Sequence, residues 1–256
     1  MPGTFVTRRA AATDPRHDRS TARRLLVATA CVLALPWAVP ARGVDSCLNA
    51  YFPVSPGLKL QYRTTYDVGE DPPSSFTQTY TNITPNAFTL HLEFADGGLD
   101  RPWTCTPNGL VSTEYLSLTA PQRRSQLQIT STGGVSLPPA DQWKKGLAWE
   151  HSYVVRDRAP DAEHGETKGN LTIKYEVADI EPVTVPAGKF DAFKVYVIMK
   201  QDLSVAKGGQ AYPMNNVIAA LAWYAKDVGL VKATSETVAT TELVSIARDA
   251  AATPAK

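Results

Sequence analysis

Apolar residues recur at every second position through most of this chain, and that period commits it to β-strands. Leu58, Leu60, Tyr62, Thr64 and Tyr66 share one face of a first strand. Phe88, Leu90, Leu92 and Phe94 alternate with Thr89, His91 and Glu93 in another. The same rule holds for Trp149, His151, Tyr153 and Val155, for Leu171, Ile173, Tyr175 and Val177, and for Phe193, Val195, Val197 and Met199. Further strands are expected at residues 76–83, 103–106, 110–116, 127–129, 217–225, 229–237 and 242–247. Pro107-Asn108-Gly109 and Pro186-Ala187-Gly188 read as hairpin turns, with each glycine supplying positive φ. About eleven strands and no long helix result. The expected fold is all-β, a single antiparallel curved sheet, half-barrel or barrel-like.

Two stretches share landmarks. Gly57-Leu58-Lys59-Leu60-Gln61-Tyr62 resembles Gly146-Leu147-Ala148-Trp149-Glu150-His151. Trp103 precedes Gly109-Leu110-Val111 as Trp223 precedes Gly229-Leu230-Val231. The sheet is therefore expected to be built from two related halves, about 51–116 and 138–247, which pack together rather than stand as separate domains.

The first forty-odd residues read as an address. Arg23-Arg24 precedes an apolar run over residues 25–39, and Val39-Pro40-Ala41 offers small residues for cleavage. A signal peptide over 1–41 is expected, then a linker over 42–49, the β domain over 50–247 and a flexible tail over 248–256. The run is too short to span a bilayer comfortably, and no later stretch is long enough. Sec and twin-arginine export both fit the basic leader. The mature chain is expected to be periplasmic or extracellular.

Charge points the same way. The chain of 256 residues carries a formal net charge of +1. Six arginines and two aspartates lie in 1–41, which leaves 20 basic and 23 acidic residues beyond it, a net −3. A mildly acidic body without a basic stripe argues against nucleic acid as partner. Of three cysteines, Cys31 departs with the leader, so Cys47 and Cys105 remain as a pair in an oxidising compartment. A lipidated Cys47 beside a free Cys105 is the rival arrangement.

Tyr51-Phe52-Pro53 with Pro56-Gly57, the run from Val185-Pro186-Ala187-Gly188 to Phe193-Lys194-Val195, and Trp223-Tyr224-Ala225-Lys226 with Val228-Gly229-Leu230-Val231-Lys232 resemble landmarks of a family of uncharacterised exported bacterial β-proteins. The presumed fold of that family is similar to the half-barrel of the periplasmic lipoprotein carriers LolA and LolB. The resemblance runs through most of residues 50–247; Lys59-Leu60 departs from it, standing where a tryptophan-containing strand start is expected. It implies a concave sheet able to hold an acyl chain, and it supplies no functional residues.

Catalytic signals are sparse. Gly-x-Ser-x-Gly and His-Glu-x-x-His are missing from the sequence. His91 and Glu93 read as a solvated strand face, and His151 as an interior histidine. His164, among Asp161, Glu163 and Glu166, reads as a hydrated acidic loop. No metal or cofactor is expected. Aromatic residues on the strands give the positive hint: Tyr62, Tyr66, Trp149, Tyr153, Tyr175, Phe193 and Trp223 are the candidate ligand contacts. The leading expectation is a non-enzymatic envelope protein that binds a lipid or another apolar molecule. A structural or partner-binding envelope protein that recruits another protein through exposed strand edges is the first alternative, and a carboxylate hydrolase the second. An open groove favours the ligand; a closed barrel with a filled interior favours the partner.

Overall fold

The computed structural model describes residues 47–66, 72–114, 127–157, 165–235 and 239–249. The leader, the acidic loop with His164 and the connection over 115–126 lie outside the described residues. The chain divides into Met1–Ala41 and Arg42–Lys256, and the fold below belongs to the second unit.

Twelve strands form one antiparallel sheet. They are β1 Leu58–Tyr66, β2 Ser74–Thr84, β3 Ala87–Phe94, β4 Gly97–Thr106, β5 Gly109–Ser112, β6 Leu127–Gly134, β7 Ala148–Asp157, β8 Glu166–Val185, β9 Gly188–Lys207, β10 Gln210–Ala225, β11 Gly229–Ser235 and β12 Ala239–Arg248. A single 3₁₀ turn, Ala140–Gln142, interrupts them, and the described residues contain no α-helix. Every strand pairs with its neighbour in sequence except β5 and β6, while β1 pairs with β12. The order makes a meander whose two edges are β5 and β6. These edges curl towards each other until Leu110 bridges Leu137, just beyond β6. The result is a nearly closed barrel, which leaves few of its strand edges open.

Alternation fills the barrel. Leu58, Leu60 and Tyr62 of β1, Phe88, Leu90 and Leu92 of β3, and Val195 and Val197 of β9 are buried, while the residues between them face outwards. The matching sequence landmarks fall six strands apart. Gly57 enters β1 and Gly146 leads into β7, at φ 72° and 79°. Trp103 and Gly109 frame the β4–β5 hairpin, as Trp223 and Gly229 frame β10–β11.

Two local expectations need correction. Gly109 is not a turn residue: Pro107-Asn108 makes the turn, and Thr106 pairs with Gly109. Glycine is required there because the Leu137 carbonyl passes so close that a Cβ would overlap it. Gly208 and Gly209, both at positive φ, make a two-residue turn between β9 and β10. Strand β10 also starts at Gln210 rather than 217, with Pro213 inside it.

Candidate functional site

Beyond the barrel wall, residues 47–54 cross one open end. Cys47 is bonded to Cys105 of β4, so the Cys47 thiol is engaged and the lipidated alternative drops out. Asn49 is buried, donates from Nδ2 to the Pro138 carbonyl at 2.9 Å, and accepts the Tyr51 N–H at 2.9 Å. Tyr51 stacks on Trp143 with ring centroids 4.5 Å apart and meets Phe193 edge-on at 5.1 Å. Phe52 stacks on Trp103 at 4.9 Å and reaches Tyr80. One short segment thus touches β4 on one side and β9 on the other, as an aromatic plug. The Tyr51-Phe52-Pro53 landmark is that plug.

The seam between the barrel edges is thin. Leu110 N–H donates to Leu137 O at 2.8 Å, and Ser136 N–H donates to Leu110 O at 2.9 Å. Ser112 N–H adds a bond to Ser136 Oγ at 2.8 Å. Behind seam and plug lies a cavity of about 90 Å³. Its walls mix Leu60, Leu90, Ile173 and Leu230 with Gln78, Tyr80, Ser112, Glu114 and Ser136. A cavity of about 150 Å³ holds a benzene, and ligand pockets run to about 300 Å³ and more. This cavity is therefore smaller than an ordinary ligand pocket.

Polar groups sit inside the wall. Arg101, nearly buried, pairs with Glu114, and Gln78 donates to the Tyr80 hydroxyl at 2.7 Å. Burial pushes the Tyr80 and Tyr224 phenols well above their ordinary range. His151 is fully buried, edge-on to Tyr153 at 4.4 Å, and its ring nitrogens face the Ser112 and Gly134 backbone without reaching hydrogen-bond geometry among the described residues. Burial, outweighing that backbone, holds its pKa down. His91 is the opposite case, held on the outer face by Asp100 at 2.6 Å and Glu93 at 3.0 Å, with its pKa raised. Among the described residues no group of three His, Cys, Asp or Glu is placed to hold a metal ion.

The aromatic candidates separate. Tyr153 and Tyr175 line the cavity, and Trp149 stacks on Tyr175 at 4.8 Å with its Nε1 on Ser136 O. Tyr62 is buried in the core, donating to Leu230 O at 2.8 Å and stacking on Phe76. Tyr66 sits at the far end of β1, its hydroxyl 3.5 Å from Ser74 Oγ. Phe193 belongs to the plug cluster. Trp223 packs on the outer face, donating to Glu181 Oε1 at 2.7 Å between Lys194 and Lys232. Adjacent strand residues face opposite sides, so its neighbour Tyr224 lines the cavity instead. Phe52, Gln78, Tyr80, Ser112, Glu114 and Ser136 were not among the candidates. Phe52 is hidden from an aromatic search by its place outside the strands and the polar residues by their chemistry, whereas Tyr80 is an aromatic residue of β2 that its Thr-rich surroundings disguise as part of a wet face.

The least protected backbone lies elsewhere. Strand β10 pairs with β9 along its whole length, but β11 joins it only from Ala220 onwards. Over residues 210–219 no described strand covers the second side, and this stretch is exposed over nearly all its length. Val217 is 62% exposed and Tyr212 51%, with Met214 and Ile218 exposed beside them. The tight turn fixes which way each peptide points. Lys207 and Gln210 face each other across it, so even-numbered residues of β10 turn their N–H and C=O towards β9 and odd-numbered ones towards the open side. Pro213, which has no N–H, falls on an odd position, where a strand tolerates it.

Residues 162–242, about a third of the chain, match the model of the DUF3108-like family. Among solved structures the chain is similar to a candidate lipoprotein from Parabacteroides distasonis ATCC 8503, at 18% identity and TM-score 0.51 over 78% of this chain and 99% of that one. It is also similar to a candidate exported protein of YmcC-like fold from Bacteroides fragilis NCTC 9343, at 14% identity and TM-score 0.49 over 78% of this chain and 100% of that one. The Parabacteroides match shows a shared fold. No curated protein matches the chain. Among the described residues no helix is long and apolar enough to cross a membrane.

Proposed function

We propose that this is a non-enzymatic protein of the bacterial envelope, periplasmic or extracellular, that works by adding a strand from another polypeptide to its open sheet edge. One observation carries the reading: over residues 210–219 no described strand pairs with the second side of β10. An exposed edge is a template for pairing, which proteins ordinarily blunt with charge, bulges or proline, and Pro213 is the one such device in the open run. Strand β10, Gln210–Ala225, contains no Asp, Glu, Lys or Arg. Main-chain bonds then supply affinity, and the alternating side chains supply selectivity. The leader supports export, as does the resemblance to exported proteins.

The test uses a photo-crosslinking amino acid at Val217 of the full chain in the producing cell, with Lys174 on the outer face of β8 as control. A discrete adduct at 217 and none at 174 is expected. No adduct at 217 overturns the reading.

A second reading, a lipid or apolar ligand in the barrel, rests on the cavity lying directly behind the seam and plug. At about 90 Å³ the cavity is too small for an acyl chain, so this reading needs the seam to part. Gently purified protein would then carry an extra mass of several hundred daltons that organic extraction removes. A bare mass ends this reading.

A further inference from the structure

We infer that the polypeptide received by the β10 edge is a second copy of this chain, paired antiparallel about a two-fold axis through Asn215. The inference rests on the edge being the docking surface and adds the identity of its occupant.

About Asn215 the open run sets an apolar or aromatic residue against another at three of its four off-centre pairs, Met214 against Asn216 being the exception. Residues 211–219 read Ala211-Tyr212-Pro213-Met214-Asn215-Asn216-Val217-Ile218-Ala219. Antiparallel pairing centred on Asn215 sets Ala211 against Ala219 of the second copy, Tyr212 against Ile218, Pro213 against Val217 and Met214 against Asn216. Tyr212, Ile218, Pro213 and Val217, each exposed in the single chain, thereby meet one another. Asn215 meets its own counterpart, and two amides can bond across an axis where two like charges would repel. No charged residue lies anywhere in the run.

The backbone agrees with the side chains. An even index sum pairs odd residues with odd, and odd residues are those whose N–H and C=O face the open side. The centre at Asn215 also uses the whole uncovered run, because Ala220 is already paired to β11. The missing Pro213 N–H removes one bond on each side of the axis and leaves the rest of the ladder intact. Such a self-complementary patch is what a two-fold contact requires. Contact along one strand is small beside the about 1,600 Å² of a standard interface, so association should depend on concentration.

Sedimentation of the purified mature protein tests this with wild type, Asn215→Lys, Asn215→Glu and an equimolar mixture of the two variants. Position 215 is on the exposed edge, and circular dichroism checks that each variant keeps its strands. Wild type is expected to move from the mass of one chain to that of two as concentration rises. Each variant alone should stay at one chain, and the mixture should recover two. A wild type that remains at one chain throughout overturns the inference, as does an Asn215→Lys protein that doubles like wild type. The two claims separate in the cell: an adduct at Val217 with the mass of two chains supports both, one of another mass keeps edge docking and removes self-pairing, and no adduct removes both.

Discussion

The Leu110 N–H donates to the Leu137 carbonyl at 2.8 Å, and this contact joins the two ends of a twelve-strand meander. All other neighbours are held by ladders; this junction is held by a few bonds around one bridge. Gly109, at φ 128°, stands beside it with no room for a Cβ against Leu137. Gly109→Ala should destabilise the protein by about 1–3 kcal/mol through backbone strain and crowding. The urea midpoint checks this, and an unchanged midpoint would contradict the seam as described.

The disulfide ties the plug to β4. Cys47 and Cys105 are 58 residues apart, and closing such a loop stabilises by about 4 kcal/mol on the chain-entropy account. Intact mass should be two hydrogens below that of the reduced chain. Replacing both cysteines by serine should lower stability by about 2–5 kcal/mol in denaturant titrations. Equal stability would mean that the plug is held by Asn49, Tyr51 and Phe52 alone.

Arg101 and Glu114 make an asymmetric pair, the guanidinium nearly buried and the carboxylate about a third exposed. Glu114→Ala strands a buried charge and should cost about 3 kcal/mol, the low end for such pairs because water reaches the carboxylate side. Arg101→Met removes the charge that needs compensation and should cost clearly less. The reverse order of the two unfolding free energies would refute this.

Much of the fold is legible in the sequence because burial of one sheet face writes a period of two. That signal places β1, β3, β7 and the buried part of β9. It fails where burial fails. Residues 210–216 carry Pro213 and two asparagines and bury neither face, so nothing in their pattern marks a strand. Gly109 reads as a turn from its neighbours alone, since the Leu137 carbonyl that excludes a side chain arrives from 28 positions away. The cavity was legible only in part: Tyr153 and Tyr175 alternate with polar residues, whereas Ser112, Glu114 and Ser136 gain their places through the seam.

Two histidines should shape the pH dependence of stability in opposite directions. Asp100, then Glu93, raise the pKa of His91, so its stabilisation is full below about 6.5, its ordinary value, and is lost as pH rises through the raised one. Burial lowers the pKa of His151, so stability is lost as pH falls from about 6.5 towards its depressed value. Together they place maximum histidine-linked stability near pH 6.5. Asp100→Asn should flatten the alkaline side and leave the acid side unchanged. Proton-resolved titration of both imidazoles, with the stability profile, checks the assignment.

Residue-resolved amide exchange along β10 tests the central claim most directly. In dilute protein Ala211, Asn215, Val217 and Ala219, which face the open side, should exchange fast, while Tyr212, Met214, Asn216 and Ile218, bonded to β9, should be protected. Under conditions where the edge is occupied, the odd-numbered amides should slow to match the even-numbered ones. Odd-numbered amides already protected at dilution, or fast at every concentration and with cell extract present, would contradict an edge that receives a partner strand.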